Sequence, residues 1–340
     1  MEKWNLQGDD EFFVITAGEF TGIVETLVRA GYTPGEDFVC SPDFKDFHTI
    51  VSFHSKNSAL LFTCSDYNDF TRARGSKAGG GLYKIDTDRG VAEKVVQGSF
   101  RQMEIVGGDV YVVDYVAGQL LRISSDFEVK QRLDLGAANY CGLTYDESER
   151  VFYVANAGND LIAKVSLSAD KELSMVELIT TYSDEREMRE RHINDLEVVS
   201  GRLMASYFSR TANYKFGAFD GGVSFLEEDG SWEEVISDLW KPHSPRFYND
   251  SVWVLDSMRG ELLSSDRKVK YKFNGFVRGL DFKEDLIVVG QSQDMYISDR
   301  LSGEDIISVD CGLHLLDSSS RATRFIPITE ITNIHDVRFL

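Results

Sequence analysis

Val110-Tyr-Val-Val-Asp-Tyr-Val-Ala-Gly-Gln-Leu-Leu, Val151-Phe-Tyr-Val-Ala-Asn-Ala-Gly-Asn-Asp-Leu-Ile and Val252-Trp-Val-Leu-Asp-Ser-Met-Arg-Gly-Glu-Leu-Leu share one pattern. Each is an apolar run ending in Asp or Asn, then a short polar turn containing Gly or Asn, then a second apolar run. Asp114, Asn156 and Asp256 hold the same place in the three copies. The first two copies lie roughly 40 residues apart and the third follows after about twice a 50-residue step, the spacing at which hairpin repeats build β-propellers. From His48 onward the chain reads as short strands with turn residues between them. Inner strands are expected to start near His48, Gln102, Tyr140, Asn194, Ser244 and Val277. The expected fold is all-β, a six-bladed β-propeller with seven blades as the alternative, preceded by a short N-terminal α/β segment. The final Ile334-His-Asp-Val-Arg-Phe-Leu reads as one more inner strand, closing the ring or opening a seventh unit.

Composition narrows the function classes. The chain has 340 residues, 42% of them hydrophobic, enough for an extensive core. Its net charge of −20 argues against nucleic acid or an anionic membrane surface as partner. There is no apolar run near the ~18 residues a membrane span needs. The N-terminal Met1-Glu-Lys-Trp-Asn-Leu lacks the apolar stretch of a signal peptide. A cytoplasmic location without membrane insertion is therefore expected. Cys40, Cys64, Cys141 and Cys311 are scattered without metal-ligand spacing and read as buried free thiols.

Residues 1–47 do not look like a blade. Phe12-Phe-Val-Ile-Thr-Ala reads as a buried strand, Thr21 as a helix cap, and Ile23, Leu27 and Val28 as an apolar stripe that Gly31 ends. This β-α-turn piece resembles a fragment of surface-polysaccharide enzymes, where it ends a nucleotide-binding half-domain. Here it is too short to bind a nucleotide alone and lacks GxGxxG, so no nucleotide cofactor is expected. We read it as a cap, or as a docking element for a protein partner, with the propeller over 48–340. Two insertions stand out. Asp66 to Gly81, carrying Arg72, Arg74 and Lys77, reads as a loop over the channel. Ser183 to Arg191 reads as a short exposed helix leading to His192.

In a propeller the first residues of the inner strands face the mouth of the central channel. That rule collects His48, Gln102, Tyr140, His192, Asn194, Asp195, His243, Arg246, Arg278, His335 and Asp336, which include four of the six histidines. Lys241-Pro-His-Ser-Pro-Arg246 is stiffened by two prolines and presents a His and an Arg at fixed angles. Arg246 and Arg278 are the candidates to hold a carboxylate, phosphate or sulfate, with Tyr140, Gln102, His48 and His335 completing the substrate contacts. His192 and His243 are the candidates for proton transfer. Ser244 beside His243 is not a nucleophile pair, because strand neighbours point apart and no GxSxG elbow is present. Each assignment has a structural alternative: arginines in local ion pairs, histidines in packed hydrogen bonds.

The stretch from Lys241 through Val252-Trp-Val-Leu-Asp-Ser-Met-Arg-Gly-Glu-Leu-Leu is similar to a bacterial family of uncharacterised propeller proteins. Gly275-Phe-Val-Arg-Gly-Leu-Asp-Phe, Val289-Gly-Gln-Ser and Thr329-Glu-Ile-Thr-Asn-Ile-His-Asp-Val-Arg-Phe-Leu resemble the same family. The likeness covers residues 190–340 well and 48–190 loosely. A looser likeness, through Asn194-Asp195, runs to the gluconolactonase and regucalcin group. It implies a divalent cation, Ca or Zn, on oxygen ligands, here Asn194, Asp195, Asn156 and Asp256. That group also uses an early-blade Glu, which has no convincing counterpart in this chain. The expectation is an enzyme acting on an anionic sugar or sugar acid by proton transfer (hydrolysis, lyase or epimerisation chemistry) in bacterial surface-polysaccharide biosynthesis. The alternative is a non-catalytic scaffold propeller that docks a partner enzyme.

Overall fold

The computed structural model describes residues 2–5, 11–14, 28–33, 53, 58–65, 79–87, 89–137, 139–181, 190–227, 230–293, 308–329 and 331–340. Two compact units are distinguished: residues 1–57 with 317–322, and residues 58–316 with 323–340. The first contains an antiparallel hairpin of β1 (Glu2–Asn5) and β2 (Glu11–Val14), with Glu2 opposite Val14. At the expected helix stop, Gly31 takes φ +93° and its N–H donates to the Val28 carbonyl at 3.1 Å. His48, Cys40, the remainder of the expected 1–47 element, most of the 66–81 loop and residues 183–189 of the expected 183–191 helix lie outside the described residues; Glu190 and Arg191 are not helical.

The second unit is a six-bladed propeller. Five blades are four-stranded meanders in chain order. Their inner strands are β6 (Phe100–Val106), β10 (Tyr140–Asp146), β14 (Ile193–Val199), β18 (Pro242–Tyr248) and β22 (Phe276–Lys283). The sixth combines the two ends of the unit. Strands β3 (Ala59–Cys64), β4 (Gly81–Asp86) and β5 (Val91–Gln97) are completed on the inside by β26 (Asp336–Phe339), which pairs antiparallel with β3, Asp336 opposite Thr63. The C-terminal strand thus closes the ring and does not open a seventh blade. Among the described residues the innermost place beside β3 belongs to this strand.

The core lies between blades, so each sheet is covered on both faces. β7 (Asp109–Asp114) is buried along its whole length. Its Val110 and Val112 pack with Leu61, Leu82 and Met103, while its Tyr111 and Val113 pack with Tyr140, Leu143 and Phe152. This explains why the middle strands read as continuous apolar runs and not as alternating ones. The outer strands are polar and exposed. β9 (Val129–Asp134) alternates Lys130, Arg132 and Asp134 outward, charges that blunt an unpaired edge.

The repeated Asp or Asn of the three quoted stretches ends the second strand of its blade and caps the turn that follows. Asp114 Oδ1 accepts the Ala117 N–H at 3.0 Å, and Asn156 Oδ1 accepts that of Asn159 at 3.2 Å. Asp256 accepts the Trp240 N–H at 3.0 Å and pairs with Arg259 at 2.8 Å. The feature that reveals the fold is therefore turn chemistry.

Candidate active site: an anion cavity over a buried charge cluster

The inner strands contact one another around the ring, from β6 through β10, β14, β18, β22 and β26 back to β6. Five of them carry a register shift within their first residues: Phe100/Met103, Tyr140/Gly142, Ile193/Asp195, His243/Arg246 and Arg278/Leu280. A β-bulge at the head of a strand breaks the strict in/out alternation and re-aims side chains. Two of the heads have no room for a side chain. At Gly142 a Cβ would come within 2.8 Å of the Asp195 Cα. At Gly279, where φ is +78°, it would come within 2.9 Å of the Asp336 carbonyl carbon.

Above the bulges lies a cavity of about 320 Å³, at the lower end of the range for small-molecule sites. Its lining includes Gln102, His192, Asn194, His243, Arg278 and His335 of the expected residues. It also includes Arg101, Lys241, Glu190 and Cys141, which the sequence reading did not select. Three of the charged lining residues are basic (Arg101, Lys241, Arg278) and one is acidic (Glu190), in a chain of net charge −20. The acid is neutralised locally. Glu190 pairs with Lys215 Nζ at 2.7 Å and with His192 Nδ1. Burial pushes its carboxyl up, but these two partners outweigh burial and hold it below the ordinary value.

The centre of the cavity wall is His335. Its Nδ1 lies 2.8 Å from Arg101 NH1 and 3.0 Å from Arg278 NH1, while its Nε2 lies 2.7 Å from Ser65 Oγ. Guanidinium only donates, so Nδ1 is an acceptor and the ring is neutral, with its proton on Nε2. Burial, then the charges of Arg101 and Arg278, depress its pKa well below 6.5. Each guanidinium also lies over an aromatic face, Arg101 at 4.1 Å from Tyr115 and Arg278 at 5.0 Å from Phe276, which fixes its plane.

Both expected proton-transfer histidines line the same cavity. His192 stacks on Phe208 at 4.4 Å and packs against Tyr214 at 4.4 Å, with Nδ1 on Glu190, which leaves Nε2 for chemistry. Its φ of +60° is a left-handed conformation, uncommon for a residue with a side chain. His243 Nδ1 contacts the Lys241 carbonyl at 2.9 Å and Ser257 Oγ at 2.8 Å. A carbonyl only accepts, so Nδ1 carries the proton and Nε2 the lone pair. Burial and the nearby Arg278 charge hold His243 well below 6.5, so it is neutral.

Below the bulges the chemistry changes. Arg246 is fully engaged in a buried cluster and does not line the cavity, contrary to the expectation that it partners Arg278. Its Nε donates to the Leu280 carbonyl at 3.1 Å, NH1 pairs with Glu197 at 3.3 Å and NH2 with Asp336 at 3.4 Å. Arg338 pairs with Asp336 at 2.8 Å and Glu104 at 3.3 Å. Asp336 Oδ2 also accepts the Met103 N–H at 3.0 Å, and Asp281 accepts that of Phe339 at 2.8 Å. The bulge within β18 drops Arg246 to this lower tier, and Arg101 supplies the second guanidinium of the upper one.

Burial pushes Asp195 up to about 6 and Glu197 up to about 7, against the pull of Arg246. A folded carboxyl with a raised pKa holds its proton more tightly than the unfolded one. Its contribution to stability is full below about pH 4 and is lost as pH rises through 6 to 7. Glu197→Gln is therefore expected to raise stability at pH 8 by about 1 kcal/mol or more and to leave it unchanged near pH 4. Urea melts of both proteins across that range check the difference; a constant difference at all pH values would contradict it.

Tyr140 is also placed elsewhere. It is 1% exposed in the interblade core with its hydroxyl on the Leu135 carbonyl at 3.2 Å, because the bulge after it turns Cys141 to the cavity in its stead. The four tentative cation ligands do not fit a metal. Asn156 and Asp256 cap turns as described above. Asn194 Oδ1 accepts from Ser206 at 3.1 Å, and both Asp195 oxygens accept backbone N–H groups, from Ser244 at 2.8 Å and Leu196 at 3.0 Å. No group of three or more acidic, His or Cys side chains is arranged for an ion among the described residues. The cysteines described, Cys64, Cys141 and Cys311, are buried, and burial pushes the Cys141 thiol up to about 12, out of nucleophilic range. Among the described residues no helix is long and apolar enough to cross a membrane.

Fold and site together define a six-bladed β-propeller with a basic cavity at the head of its channel. Residues 191–340, the part that carries Lys241–Arg246 and the closing strand, match a family described as a domain of unknown function (DUF4915). No curated protein matches the chain in sequence. Similar solved structures include a protein from Lactobacillus plantarum (12% identity, 84% of this chain and 99% of that one, TM-score 0.55). A nidogen/laminin complex contains another (11%, 82% and 97%, 0.56), and the periplasmic gluconolactonase PpgL of Pseudomonas aeruginosa is a third (13%, 84% and 99%, 0.50). At these identities the likeness is one of fold.

Proposed function

We propose that the cavity binds a small anionic sugar or sugar acid and that the protein is an enzyme acting on it by proton transfer. The observation that carries this reading is the pair of guanidiniums, Arg101 and Arg278, held on one neutral imidazole nitrogen in the cavity wall. Guanidiniums recognise carboxylate and phosphate through paired, charge-assisted hydrogen bonds, and these two stand in one lining. Lys241, 4% exposed and 4.7 Å from the Phe219 ring, adds a third positive charge to the lining. The two histidines divide the chemistry. His192, its Nδ1 held on the Glu190 carboxylate, takes a proton on Nε2. His243, kept neutral, accepts a hydrogen bond from the bound molecule. A gluconolactonase among the propellers of similar fold is consistent with a sugar-acid ligand.

Thermal shift and calorimetry with gluconate, glucuronate and 6-phosphogluconate test the reading. At least one is expected to raise the melting temperature. Arg101→Met and Arg278→Met are each expected to weaken that ligand by about tenfold or more, since each removes charge-assisted hydrogen bonds. NMR of the incubated acids and their lactones is expected to reveal turnover that His192→Asn abolishes without loss of binding. Binding without turnover would favour the scaffold alternative, and equal affinity in both arginine variants would overturn the anion site.

A further inference from the structure

A second hollow, of about 450 Å³, is lined by Gly217, Phe219, Asp220, Trp240 and Met258. Phe219 and Asp220 stand just before β16 (Gly221–Leu226), Trp240 just before β18, and Met258 in the turn between β19 (Ser251–Asp256) and β20 (Glu261–Ser264). Strands of a meander alternate in direction, so these connections all lie at the end of the ring where the inner strands start, the end that holds the cavity. Lys241 lines the cavity and its Nζ lies 4.7 Å from the ring centre of Phe219, so the two sites share a wall.

Trp240 is 38% exposed, yet it is held in place. Its N–H donates to Asp256 Oδ1 at 3.0 Å, and its carbonyl accepts the Met258 N–H at 3.2 Å. The Arg259 guanidinium lies 4.8 Å from the indole centre, itself pinned by Asp256 Oδ2 and the Asp238 carbonyl, each at 2.8 Å. Arg259 does not line the hollow. An apolar ring fixed in advance and open to a concave surface suits a ligand, because little ordering cost remains at binding. Asp220 Oδ1 accepts from Ser209 Oγ at 2.6 Å and Oδ2 from the Thr211 N–H at 3.2 Å. Burial pushes its carboxyl up, but the hydrogen bonds from Ser209 and Thr211 outweigh burial and hold it below the ordinary value. It is therefore an ionised acceptor with capacity for further donors.

These charges select against ions. Asp220 opposes an anion. Arg259 and Lys241 already use the attraction of the two rings for a cation, and they repel another. A neutral guest remains, with apolar hydrogens for the rings and donors for Asp220. A pyranose has both: C–H groups across its faces and hydroxyls around its rim. A nucleobase or an amide also stacks and donates. The neighbouring cavity favours the sugar, since an acidic unit held there at the end of a chain sets the next, neutral unit beside the shared wall. We propose that Trp240, Phe219 and Asp220 form a second subsite for a neutral pyranose, and that the ligand is an acidic saccharide of two or more units. This rests on the reading of the cavity as a site for a sugar acid and lengthens its ligand.

The test is calorimetry and tryptophan fluorescence with glucuronate, cellobiouronic acid (glucuronate linked to a neutral glucose), cellobiose and uridine. The disaccharide acid is expected to bind about tenfold or more tightly than glucuronate, and Trp240→Leu to bring that ratio to within about threefold. A merely structural loss would lower both affinities together and leave the ratio. Cellobiose is expected to change the fluorescence of the wild type and not of Trp240→Leu. Binding of glucuronate with no gain from the added glucose would overturn the subsite and leave the anion site standing. A cellobiose signal without binding of either acid would overturn the anion site and leave the subsite. A ratio that persists in Trp240→Leu would overturn the role of Trp240, and tighter binding of uridine than of cellobiose would overturn the choice of a sugar. Binding of none of the four would overturn both readings.

Discussion

A chain shortened to end at Asn333 is expected to lose cooperative unfolding altogether. The seven missing residues take the fully buried Ile334 and Val337 out of the core, and three further kinds of interaction leave with them. The β26 ladder on β3 goes, which exposes a sheet edge inside the channel. Asp336 goes, and with it the acceptor for Arg246 and for the Met103 N–H. Arg338 goes, which leaves Glu104 without its ion pair. The combined loss exceeds about 5 kcal/mol, comparable with the whole stability of a typical domain. Circular dichroism during heating reads the result directly. A shortened chain that melts sharply at the wild-type temperature would show that the ring does not depend on its closing strand.

Arg246→Met is expected to destabilise the protein by about 3–5 kcal/mol, the range for removing one partner of a buried ion cluster. Arg246 joins β18 to β14 through Glu197, to β22 through Leu280 and to β26 through Asp336. Its removal strands carboxylates that burial already disfavours. The double variant Arg246→Met, Glu197→Gln is expected to recover part of the loss, because one stranded charge is then absent. Arg278→Met offers the contrast. It lines the cavity, and its loss is expected to affect ligand affinity far more than stability. Urea denaturation of the three variants decides the matter. If Arg246→Met were as stable as the wild type but failed to bind ligand, Arg246 and not Arg101 would be the second arm of the clamp.

The propeller was legible because in three blades the second strand ends in an Asx residue before a short turn, and that pattern recurs at blade spacing. The same pattern drew Asn156 and Asp256 into the cation reading, although Asn156 is spent on a turn N–H and Asp256 on the Trp240 N–H and Arg259. Of the residues selected at the heads of inner strands, Gln102, His192, Asn194, His243, Arg278 and His335 line one cavity. The bulges were not legible. A bulge is a one-residue change of register decided by how neighbouring strands crowd at the axis, as at Gly142 against Asp195, and strict alternation has no way to express it. That accounts for Arg246, which falls below the cavity, and for Tyr140, which falls behind it. Arg101 was missed by starting its blade two residues late. The likeness of Phe100-Arg-Gln-Met to Phe276-Val-Arg-Gly-Leu, each an aromatic residue opening a strand with an arginine close behind, was the available signal.

Completing one sheet from both ends of the chain has a consequence during synthesis. The acceptor that both clamp arginines share is residue 335, and Ser65, its hydrogen-bond partner, leaves the ribosome long before it. At ordinary elongation rates the interval is roughly 15–50 s. Throughout that time the nascent protein carries blades without a finished cavity wall, and on the proposed function incomplete translation products would not bind the anion.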